Sequence, residues 1–178
     1  MPIINPRRDS NSLTEAQVYL KERSENDLES ISRSFKVYHL DFADVLNKKF
    51  KEDVNHVSWM HIVDRGDNEL YGVEVMVRDN NHSFHSKHHT SLISDYHRFL
   101  NEHNEHPNLS DSDYEHALLR ISVSRISAIW IVNKRNSKDY YIPLSPAFHG
   151  IEPGIILDEE AFFEKVHTAA LEQFEDFD

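Results

Sequence analysis

Cysteine is absent from this chain. Disulfides, thiolate nucleophiles and cysteine-ligated zinc are therefore excluded, and metal chemistry is left to histidine and carboxylate. Glycine is scarce, with 4 residues in 178, and neither a glycine-rich phosphate loop nor a nucleophile elbow occurs. No apolar run approaches the roughly 20 residues of a membrane-spanning helix. Residues 1–8 lack the apolar segment and small-residue cleavage pattern of an export signal, so the expectation is a soluble, cytoplasmic protein. Positive charge is also short: 19 Lys and Arg face 31 Asp and Glu, a formal charge of −12. That field repels phosphate backbones and anionic lipid, and no basic cluster stands out along the chain. Neither nucleic acid nor membrane is expected as a partner; a basic protein is.

What remains is enough to fold. With 39% hydrophobic and 11% aromatic residues the composition is too apolar for disorder. A chain of this length removes roughly 70% of its unfolded surface from water in a single domain. Residues 1–11, with Pro2 and Pro6, read as an irregular arm and 12–178 as one domain.

Hydrophobic periodicity then predicts the elements. Ser12 and Glu15 fit a capping box, and Leu13, Ala16, Leu20, Leu28 and Ile31 approximate a helical stripe, as one helix or two. A short extended piece over 35–40 leads to a helix from Asp41 carrying Phe42, Val45, Leu46 and Phe50. Period two follows: Val57, Trp59, His61 and Val63 share one face, Tyr71, Val73, Val75 and Val77 another, with a turn at Asp64 to Glu69. Ser91 opens a helix through Leu92, Tyr96, Phe99, Leu100 and His103. Ser110 to Asp113 offers a cap for a further helix carrying Tyr114, Ala117, Leu118 and Ile121. Residues 126–132 and 140–144 make a second hairpin, and a last helix begins near Asp158 with Phe163, Val166, Ala170, Phe174 and Phe177 inward. The predicted class is α+β: an antiparallel sheet of two β-hairpins with N-terminal, middle and C-terminal helices packed on it.

Seven of the 13 histidines fall between His82 and His106. Imidazole is a common ligand for transition metals, and His82, His85, His88 and His89 have a spacing that would converge on zinc or another such metal if the segment made a helical turn. A polar loop joining hairpin to helix explains the same residues more simply, so no cofactor is expected and metal is the alternative. His103 and His106 read as imidazoles meeting carbonyls at a helix end, before Pro107. His61 reads as a core imidazole. Glu74 alternates with Val73 and Val75 and reads as solvent-facing; a hairpin nuclease would need lysine where Met76 stands. From Glu152 to Asp178 nine carboxylates face one lysine, Lys165, giving the last helix a negative outer face.

The leading expectation is thus a non-catalytic interaction or regulatory protein that meets a basic partner through acidic surface. A histidine-ligated metal protein, including a metal-dependent hydrolase, is one alternative. The other is a small-ligand domain whose pocket lies near Phe148 and His149. Homo-oligomerisation through an uncovered sheet edge is also expected of such a fold.

Overall fold

The computed structural model describes residues 6–7, 9–23, 29–47, 50, 54–66, 69–79, 81–88, 91–103, 106, 109, 114–122, 126–134, 138–145 and 150–175. Four helices, α1 (Ser10–Arg23), α2 (Phe42–Leu46), α3 (Ser91–Glu102) and α4 (Glu159–Glu175), accompany eight strands. The strands are β1 (Ser30–Leu40), β2 (Asn55–Asp64), β3 (Leu70–Arg78), β4 (Asn81–His88), β5 (Tyr114–Ile121), β6 (Ile126–Asn133), β7 (Tyr140–Pro143) and β8 (Leu157–Asp158).

All eight strands join one sheet in the order β4-β3-β2-β1-β5-β6-β7-β8. Every neighbouring pair is antiparallel except β1 and β5, which run parallel from Lys36 opposite Ala117 to Leu40 opposite Ile121. The sheet is therefore two antiparallel meanders, β1–β4 and β5–β8, laid side by side along their first strands. A parallel junction cannot be closed by a tight turn, and the connection from β4 to β5 contains α3. Each meander is followed by a helix, and the two helices lie on opposite faces. Ile93, Tyr96, Phe99 and Leu100 of α3 pack with Phe35, Val37, Met60, Ile62, Leu118 and Ile129. Phe162, Phe163 and Val166 of α4 pack with Leu40, Leu119, Ala128 and Tyr141. The second face also receives α1, whose Ala16 and Leu20 pack with Val63, Tyr71, Val73 and Val75.

The hairpins of β2 with β3 and of β6 with β7 lie where the alternation places them. Three expectations require correction. Residues 114–121 form a strand rather than a helix. Tyr114, Ala117, Leu118 and Ile121 satisfy helical spacing, but the intervening His116 and Leu119 are buried too, as befits a strand covered on both faces. Residues 82–88 are not a loop but most of β4, an edge strand kept polar because only one side is paired. The first helix starts at Ser10, within the predicted arm, because Asp9 rather than Ser12 caps it: Asp9 Oδ1 accepts from the Ser12 amide at 2.8 Å. Ile31, assigned above to a helical stripe, lies in β1.

At the other end of the chain Asp158 caps α4 by accepting from the Ala161 amide at 2.9 Å, close to the predicted start. Asp139 closes the second hairpin, accepting from Trp130 Nε1 and the Asn133 amide, each at 2.9 Å. The expectations on Leu28, Ser110 to Asp113, Phe148, His149, Pro107, Phe174 and Phe177 lie outside what the structure describes. Among the described residues no helix is long and apolar enough to cross a membrane.

Candidate functional site

The histidine segment is divided by one irregularity. His82 and His88 are an even number of residues apart, which in a regular strand would put both on one face. A bulge against β3 between Glu74 and Val75 breaks the alternation. His82 consequently stands opposite Val77 on the α1 face, its Nε2 3.2 Å from Asp9 Oδ1. His88 stands opposite Gly72 on the α3 face. His85 is exposed, and His89 lies outside the described residues. The structure thus parts His82 from His88. Among the described residues no group of three or more His, Asp and Glu is spaced to hold a metal ion.

On the α3 face His88 meets a residue that sequence alternation misplaces. Glu74 is buried, at 1% exposure, where solvent-facing was expected. It lies on the same face as Gly72, beneath the helix rather than in water. Its carboxylate accepts from Ser58 Oγ at 2.5 Å, from Arg120 Nη1 at 2.9 and 3.0 Å, and from His88 Nε2 at 2.7 Å. An ionised carboxylate only accepts, so His88 carries its proton on Nε2. Ser86 Oγ, 2.8 Å from that same nitrogen, shares its single hydrogen. Burial alone would raise the Glu74 pKa, but the His88 hydrogen bond, the Arg120 charge and the Ser58 hydroxyl outweigh it and hold the group at about 2. This differs from a hydrolytic triad, in which base and orienting acid use opposite ring nitrogens. His39, on β1 beside Arg120, is held below the ordinary histidine range first by burial and then by that cation.

The acidic helix presents the third feature. A groove of about 690 Å³ lies along α4, with Phe50 and Phe163 as an apolar floor and Glu159, Glu160 and Glu164 around it. The two rings stack at 4.1 Å, and α2 packs against α4 beside them. Phe50 itself sits in the sequence Lys48, Lys49, Phe50, Lys51.

No protein-family model, curated protein or solved structure matches this chain. Its chemistry is therefore read from the side chains alone. Among these, His61 is buried as expected, its ring held between Ser12 Oγ at 2.8 Å and Ser34 Oγ at 2.9 Å. His103 does meet a carbonyl, but that of Gly154 at 2.7 Å rather than one of its own helix. Arg120 and Ser58 carried no signal in the sequence: each is a single polar residue in an apolar strand, and only the sheet order brings them to Glu74.

Proposed function

We propose that this chain is a binding protein that takes a basic segment of a protein partner along α4. The supporting observation is the groove itself, in which three glutamates surround two stacked phenylalanines. A purely solubilising helix face would have charge without an apolar floor. The combination suits a Lys- or Arg-flanked aromatic or aliphatic anchor, buried for affinity while its charges steer approach. The chain's own Phe50, with lysines on either side in the sequence, already seats one such ring on Phe163.

Calorimetry with synthetic peptides tests this. Peptides placing Phe or Leu between lysines should bind saturably, and more weakly as salt rises from about 0.05 to 0.3 M, because surface charges are then screened. Reversing Glu160 and Glu164 to lysine should weaken binding at least tenfold. Equal binding of an acidic peptide of the same length, or no effect of the reversal, would refute the proposal.

A further inference from the structure

The α1 face holds a hollow of about 500 Å³ bordered by Arg7, Asp9, Lys36, His56, Trp59 and His82. In a chain of formal charge −12 its charge balance is inverted. Asp9 is the one carboxylate on its lining among the described residues, and that oxygen is committed to the Ser12 amide and to His82. Arg7 and Lys36 have no carboxylate partner among the described residues; Lys36 Nζ instead stands 5.8 Å over the Trp59 ring. The first residue of the 14-residue α1, Ser10, borders the same space, so the positive end of the helix dipole adds to the field. His56 reports that field: burial, then the Lys36 charge, lower its pKa, against the weaker pull of Asp9. Its Nε2 is engaged with the Ser58 carbonyl at 3.0 Å.

We propose that this hollow binds a small phosphorylated ligand, with Arg7 and Lys36 as its principal charge partners and His82 beside them. Two fixed cations and a helix N-terminus complement a doubly charged phosphate better than a single carboxylate. The volume lies within the range of small-molecule sites and leaves room for a compact organic group attached to the phosphate. The site lies apart from the α4 groove and does not depend on a basic partner binding there.

Calorimetry on the full chain with inorganic phosphate, ribose 5-phosphate and ribose is the test. Saturable binding of the phosphorylated sugar and not of ribose is expected, reduced at least tenfold by Arg7→Gln with Lys36→Gln and unchanged by Lys87→Gln, which lies over Tyr71 on the same face. Tighter binding of ribose 5-phosphate than of phosphate identifies an organic phosphate as the occupant; equal binding identifies free phosphate. Histidine NMR titration locates the site, since a bound dianion beside Lys36 should raise the His56 pKa. Should the double variant fold poorly, Arg7→Gln alone, in an exposed position, should still weaken binding about threefold or more. No saturable heat with either phosphate, or undiminished binding by a folded Arg7→Gln chain, overturns the proposal.

Discussion

Glu74 and Arg120 meet across the sheet. They are 46 residues apart in the chain and sit on β3 and β5, with β2 and β1 between them, yet Arg120 Nη1 reaches both carboxylate oxygens at 2.9 and 3.0 Å. The ion pair bridges the two meanders on the α3 face and brings His88 and Ser58 to the same carboxylate.

Removing one member of so buried a pair leaves the other uncompensated. Glu74→Gln should destabilise the fold by about 3 kcal/mol, the lower end for a broken buried pair because Arg120 is partly exposed. Replacing both Glu74 and Arg120 with Met should restore much of the loss. Urea unfolding measures both, and a Glu74→Gln cost under about 1 kcal/mol would place this network with ordinary surface pairs.

Acid should act in two overlapping windows. His116 is held at about 3, first by burial and then by Arg33, while Tyr96 donates its hydroxyl to His116 Nδ1 at 2.6 Å. An unfolded imidazole takes its proton near 6.5, so this stability is full above that pH and is lost as pH falls toward 3. His39, His56 and His97, also held low chiefly by burial, act in the same direction. Glu74, at about 2 against 4.5, contributes stability above 4.5 that is lost as pH falls through 2. The urea midpoint should therefore drop between pH 7 and pH 5, and Tyr96→Phe with His116→Leu should flatten much of that drop.

Ser12 gives a prediction of sign. At an exposed helical position Ser→Ala stabilises by a few tenths of a kcal/mol. Here Ser12 is buried and its hydroxyl meets His61 Nε2, so Ser12→Ala should instead destabilise by about 1–3 kcal/mol, as should Ser34→Ala at Nδ1. A double-mutant cycle with His61→Leu should show coupling for both, and stabilisation by either alanine would contradict this geometry.

Two glycines should differ in kind. An added Cβ at Gly72 would come within 2.6 Å of Met60 Sδ and 2.8 Å of Ile93 Cδ1, both side-chain atoms of the α3 core. Gly72→Ala should cost about 1–3 kcal/mol through overpacking. At Gly154 the same atom would come within 2.5 Å of the Phe99 ring, and φ is +81°. Steric conflict and backbone strain coincide there, and Gly154 also binds Pro143 and His103 through its amide and carbonyl. Gly154→Ala should therefore lower the melting temperature more than Gly72→Ala.

The sequence by itself determined the hairpins of β2 with β3 and of β6 with β7, the helices α3 and α4, and the acidity of α4, because each is written in residues close together. Alternation of Val57, Trp59, His61 and Val63, or the stripe of Phe163, Val166 and Ala170, needs no distant partner to be read. Tertiary structure decided the rest. Residues 114–121 satisfy two periods at once, and only burial on both faces makes them a strand. Strand order brings Arg120 to Glu74, and one bulge parts His82 from His88. Pairing register and sheet order are long-range quantities, so a one-residue change in alternation carries a side chain from one face to the other while leaving local composition untouched.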